Sequence, residues 1–183
     1  NMLHVSVLAS HEPSASIEEI DYSNALKVEG VVDIITGKEL ANATKPLMNG
    51  LNTPKVKRYP LALDKVRYAG EWVCAIVAES RAIAEDAAEK IILKTTSMNF
   101  ILDAEEALLS KSPVVHEKHG SNILLDKKFV WGNVDNDFKK SEHQISYKVY
   151  WGRNSTVPIE TFGVVAEWNA WTNILDVWAS IQM

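Results

Sequence analysis

Few side chains in this 183-residue sequence combine the type and spacing that chemistry needs. His116 and His119 stand three apart, a spacing at which two imidazoles on one helical turn can share a metal ion. They fall between Pro113 and Gly120, in a segment that reads as loop, and no third ligand is near. They are expected to be solvated loop histidines. Cys74 is the single cysteine. One thiol makes no internal disulfide and cannot hold an iron–sulfur cluster, which normally takes four thiolates. Within the run Trp72-Val73-Cys74-Ala75-Ile76-Val77-Ala78 it reads as a small buried apolar residue. Glu160 follows Pro158 in a stretch expected to form a buried strand, where a carboxylate serves as a hydrogen-bonding structural group before an active-site wall. The eight glycines are scattered, with no Gly-Gly or Gly-x-Gly, so no backbone cradle for a pyrophosphate is visible. Trp131, Trp151, Trp168, Trp171 and Trp178 lie along or beside apolar segments and are expected to fill a core or a subunit interface.

Composition permits a scaffold for such groups. Hydrophobic residues make up 46% and charged residues 23%, enough for a core without disulfides or metal. The net charge of −5 is spread over interleaved acidic and basic residues. With no basic stripe or polybasic run, neither nucleic acid nor a membrane surface is an expected partner. No apolar stretch approaches the ~20 residues that cross a bilayer, and the N-terminus lacks a charged segment followed by an apolar one. A cytoplasmic location is the expectation, with Met2 read as the native start.

Alternation of apolar and polar residues predicts strands at 3–9 and 15–20. Asp21 caps an expected short helix at 22–27, ended near Gly30, and the β-branched run 31–36 reads as a strand closed by Gly37. Residues 41–58, rich in Asn, Pro, Lys and Thr, read as a long loop. A short strand at 65–68 turns at Ala69-Gly70-Glu71 into the apolar strand 72–78. Ser80 then caps an amphipathic helix at 81–90, with Ile83, Ala87 and Ile91 on its apolar face. A strand at 91–95 completes what reads as a compact α/β unit. Asp103 caps a short helix at 104–109, broken at Ser112-Pro113. Beyond this point the chain turns to β structure, with long strands expected at 123–131, 143–151, 159–168 and 174–182. A helical turn is expected at 134–140, and a hairpin connection at 169–173.

Three segments, in order, carry a family resemblance. Ile20-Asp21-Tyr22-Ser23-Asn24-Ala25-Leu26 runs into Glu29-Gly30-Val31-Val32 and Thr36-Gly37-Lys38-Glu39-Leu40. Leu61-Ala62-Leu63-Asp64-Lys65-Val66-Arg67-Tyr68-Ala69-Gly70-Glu71 is followed by Val77-Ala78-Glu79 and Ala84-Glu85-Asp86-Ala87-Ala88. Val115-His116-Glu117, Asn122, Gly132-Asn133-Val134-Asp135 with Phe138, and Pro158-Ile159-Glu160-Thr161 with Gly163 make the third. The series resembles the large, molybdopterin-binding subunit of the xanthine dehydrogenase, aldehyde oxidoreductase and aerobic carbon monoxide dehydrogenase family, and covers nearly the whole chain.

The resemblance implies an α+β fold: an α/β-hammerhead domain at 1–112, then the first β-rich section of an incomplete molybdenum-cofactor-binding domain at 113–183. It implies oxidative hydroxylation of an aldehyde, an N-heterocycle or carbon monoxide by the assembled enzyme, with a glutamate base. Electrons would leave through iron–sulfur clusters to FAD on partner subunits or domains. Gln182 matches the position of the family's glutamine beside the molybdenum oxo ligand, and is the one cofactor-binding residue expected here. The base and the glycine-rich cofactor segment have no counterpart in this sequence, so the chain alone is expected to be structural and inactive. No catalytic and no metal-ligating residue is assigned to it. Expected partners are the remainder of the molybdenum subunit, iron–sulfur and flavin subunits, and a second copy of this chain. The loop Ser10-His11-Glu12-Pro13-Ser14 departs from the family pattern, as do Asn133, Ile159 and Ile181. Those departures leave the subfamily open.

Overall fold

The computed structural model describes residues 2–47, 56–152, 154 and 157–181. It divides into two compact units, Asn1–Phe129 and Val130–Met183.

In the first unit the apolar run becomes β5 (Trp72–Ala78), the central strand of an antiparallel sheet between β1 (His4–Ala9) and β3 (Val31–Thr36). Successive side chains of a strand point to opposite faces. Cys74, Ile76 and Ala78 therefore enter one core with Ala25, Ile34, Ala84, Ala87 and Ile91. Val73 enters a second core with Ala15, Ala62 and Val66. Feeding two cores is why β5 reads as continuously apolar rather than alternating. A second antiparallel sheet orders β4 (Lys65–Val66), β2 (Ala15–Asp21) and β6 (Ile92–Ser97).

Helix α2 (Arg81–Ala88) starts where expected, with Ser80 Oγ accepting from the Ile83 amide at 3.3 Å. It packs on β1, β5 and β3 through the fully buried Ala84 and Ala87, whose small side chains let the helix approach the sheet closely. β5 and β6 flank α2 in sequence but lie in different sheets, so the expected compact α/β unit is split between two layers. The helix expected at 22–27 is a series of turns, with the Leu26 amide on Tyr22 O and the Val28 amide on Ala25 O. Asp21 does cap it, through Oδ1 to the Ser23 amide. The run is too short to offset helix nucleation, and Gly30 turns the chain at φ +87° into β3. The Asp103 cap is likewise present, receiving the Glu105 and Glu106 amides, over a single 3-10 turn at Glu106–Leu108.

The second unit holds α3 (Val134–Lys140), capped by Asn133, and a hairpin of β7 (Val164–Asn169) and β8 (Ile174–Ala179). The hairpin connection falls where expected. Asn169 Oδ1 accepts from the Trp171 and Thr172 amides, and Asn173 takes the left-handed conformation at φ 57°. The segments 123–131 and 143–151 have no strand partner among the described residues. Their apolar patterning is that of strands, but a strand needs a neighbour for its backbone groups.

Candidate functional site

A tight approach of two chain segments, at Gly37 and Ala62, joins two of the sequence motifs. Thr36 and Glu39 form a capping box at the start of α1 (Gly37–Ala43): the Thr36 amide donates to Glu39 Oε2 at 2.7 Å, and the Glu39 amide to Thr36 Oγ1 at 3.4 Å. The Thr36 amide, and with it the Thr36 hydroxyl donating to the same Oε2 at 2.8 Å, hold the Glu39 carboxyl below its ordinary pKa. Gly37 is buried against the backbone of Ala62, whose carbonyl oxygen would lie 1.9 Å from a Cβ at this position. Helix α1 begins at Gly37, where the sequence pattern predicts only the end of a strand, and runs into the stretch expected as loop from 41; the Thr36-x-x-Glu39 spacing is its local signal.

His116 and His119 lie on a turn rather than a helix, with the His119 amide on His116 O at 2.9 Å. Both are half-buried, not fully solvated as expected. His119 Nε2 is 2.9 Å from Ile123 O, while its Nδ1 is buried without a partner. Burial, then the Arg67 guanidinium, holds His116 below the ordinary imidazole pKa; Glu117 opposes them, and His119 and Arg58 add to the lowering. A lowered histidine pKa means that the unfolded chain binds the proton more readily. Stability should therefore fall as pH drops below the ordinary value of about 6.5. Glu117, lowered chiefly by its Lys65 hydrogen bond, contributes above the usual carboxylate range and is lost only as pH falls through that range. Glu71, raised chiefly by burial, acts with the opposite sign. Urea midpoints compared between wild type and His116→Asn should separate these effects. The wild type should lose stability relative to the variant between pH 7.5 and 5, and parallel profiles would refute this.

Cys74 is fully buried and its thiol is pushed up to about 11 by desolvation, so it acts as an inert apolar side chain. Glu160 is exposed in a bend before β7, not in a buried strand, and its carboxylate has no partner among the described residues. The strand begins only at Val164, because Pro158 and the bend at 159–160 precede it. Trp131, Trp151, Trp168, Trp171 and Trp178 are all exposed, so none fills a core of this chain. Gln182 lies outside the described residues. Among the described residues no three His, Cys, Asp or Glu are placed to hold a metal ion, and no helix is long and apolar enough to cross a membrane.

The family model for the aldehyde oxidase and xanthine dehydrogenase a/b hammerhead domain matches residues 1–97, and that for the molybdopterin cofactor-binding domain matches 115–183. The chain belongs to the aldehyde oxidase and xanthine dehydrogenase family. Relatives in Paenarthrobacter nicotinovorans include the 6-hydroxypseudooxynicotine dehydrogenase complex subunit gamma, 30% identical over 99% of this chain and 23% of its own length. The nicotine 6-hydroxylase large subunit of the same organism is 31% identical over 99% of this chain and 22% of its length. Quinoline 2-oxidoreductase from Pseudomonas putida 86 superposes with a TM-score of 0.88 at 28% identity, over all of this chain and 24% of its own. The chain thus spans less than a quarter of these relatives' length. The α+β fold, a hammerhead domain followed by the start of a cofactor-binding domain, follows from these matches and the mixed architecture.

The family's cofactor is a molybdopterin. In this chain Gly30 and Gly37 are packed against Ile83 and Ala62, while Gly70, Gly120, Gly132 and Gly152 stand singly in open space. A pyrophosphate needs several backbone N–H groups converging on it. The described residues do not by themselves fit that group.

Proposed function

We propose that this chain is the N-terminal portion of a molybdenum hydroxylase large subunit, structural in role and inactive alone. The observation that carries the reading is the superposition on quinoline 2-oxidoreductase over the full chain. The assembled enzyme would oxidatively hydroxylate an aldehyde, an N-heterocycle or carbon monoxide. N-heterocycles are favoured because relatives are named for nicotine and quinoline. The domain boundary is placed at 112/113, supported by family matches that end at 97 and resume at 115. Gln182 would face the cofactor, held mainly by the remainder of the molybdenum subunit. Iron–sulfur clusters and FAD would sit on partner subunits or domains, and the complex would be cytoplasmic.

Purification of the native complex, with molybdenum and iron analysis and mass spectrometry of the accompanying chains, tests this reading. Stoichiometric molybdenum beside a larger glycine-rich chain is expected. Metal-free, partner-free protein would overturn it and favour a free-standing scaffold derived from the family. Assays of the assembled enzyme with quinoline, nicotine, an aldehyde and carbon monoxide would then separate the substrate classes.

A further inference from the structure

After β6 the chain runs from 98 to 129 with a single 3-10 turn as regular structure, yet residues 114–116 are half-buried. Something other than a ladder holds this segment. Asn122 closes it on itself. Its Oδ1 accepts from the Val115 amide at 2.9 Å, and its Nδ2 donates to Ala107 O at 3.1 Å and to Pro113 O at 3.0 Å. Three of the four hydrogen bonds an asparagine amide can make are thus spent on the backbone of one loop. Gly120, at φ +79°, lets the loop turn back toward Asn122. Compact loops whose ends meet in this way are ordered by their own side chains.

A second tie runs to the hammerhead domain. Lys65 Nζ, on β4, donates to Glu117 Oε1 at 2.5 Å across 52 residues of sequence. The lysine side chain is only 12% exposed, whereas Glu117 is 56% exposed. Arg67 lines the same junction: Ser14, Lys65, Arg67, Phe100 and Val115 surround a cavity of about 40 Å³. Lys65 belongs to the hammerhead match at 1–97, and Glu117 and Asn122 belong to the cofactor-domain match that begins at 115.

We infer that the Asn122-closed loop and the Lys65–Glu117 ion pair form a clasp that ties the start of the cofactor-domain segment to the hammerhead domain, fixing where the following chain departs. This gives a physical task to the Asp64-Lys65-Val66-Arg67 and Val115-His116-Glu117 motifs.

Hydrogen exchange by mass spectrometry on the full chain tests it with two variants. Asn122→Asp keeps the acceptor for Val115 but removes both donors and sets a charge against two carbonyls. Lys65→Met keeps the apolar stem and leaves Glu117 largely in water. Exchange in 113–123 should rise about tenfold in Asn122→Asp, the scale of one or two lost hydrogen bonds. It should rise severalfold in Lys65→Met, as befits a partly exposed pair. Amides of β5 should be unchanged in both. Unchanged exchange at 113–123 in either variant would overturn the clasp, as would a rise shared equally by β5, which would mean global destabilisation rather than local release.

Discussion

Gly37→Ala should destabilise the hammerhead domain by about 3 kcal/mol or more, a large share of the 5–15 kcal/mol typical of a domain. A Cβ at this position would lie 1.9 Å from the Ala62 carbonyl oxygen, 2.7 Å from its carbon and 3.2 Å from Leu61 O. All three atoms are backbone, so no side chain can swing aside. Relief requires separating the β3–α1 junction from residues 61–62. Those residues are themselves fixed: both side chains are buried, and the Ala62 amide donates to Trp72 O at 2.7 Å. Gly70→Ala is the control for glycine's conformational freedom, since its φ is +92° and nothing lies within 4 Å of a Cβ there. That change should cost only about 1 kcal/mol of left-handed strain. Urea denaturation followed by circular dichroism measures both. A Gly37→Ala variant within about 1 kcal/mol of wild type would show that this contact is not tight.

This contact also marks the limit of what the sequence made legible. Strands and caps that depend on neighbouring residues were readable, including the Ser80 cap, the Asp103 cap, α3 over Val134–Lys140 and the Asn169 turn. Their physics is local, because each is a side chain bonding backbone within three residues. The approach of Gly37 to Ala62 joins positions 25 apart and leaves no periodic trace. Asn122 is similar. It was visible only as one member of a motif, and its three bonds reach back as far as Ala107. The division of β5 and β6 between two sheets was hidden for the same reason, since strand order is a long-range property. For the site, the matched family domains were readable from ordered motifs. His119 was read as solvated because sequence carries no measure of burial; in the fold its Nε2 lies 2.9 Å from Ile123 O.

The isolated chain should self-associate through the β7–β8 hairpin, and Trp168→Ser with Leu175→Ser should weaken that association at least a hundredfold. Directly opposed residues of an antiparallel pair share a face. One face carries the pairs Val164 with Ala179, Ala166 with Val177, and Trp168 with Leu175, all apolar. The other carries Val165 with Trp178 and Glu167 with Asp176, two carboxylates side by side. Like charges opposed across a ladder favour water, so the apolar face is the one that docks. Its Trp168 and Leu175 are each 55% exposed, and a lone two-stranded hairpin is at best marginally stable. In the proposed enzyme the remainder of the molybdenum subunit would cover this face; without it, a second copy presents the same chemistry. Truncating a tryptophan and a leucine removes about 3 kcal/mol or more of apolar transfer energy, and each 1.4 kcal/mol is about tenfold in affinity. Sedimentation velocity across a concentration series reads the result. A wild-type monomer at high micromolar concentration would refute the association, and a double variant associating as tightly as wild type would place it elsewhere. Hydrogen exchange of β7 and β8 in the variant separates the causes. Retained pairing with lost association identifies Trp168 and Leu175 as the docking surface, because only the face, and not the ladder, has then changed.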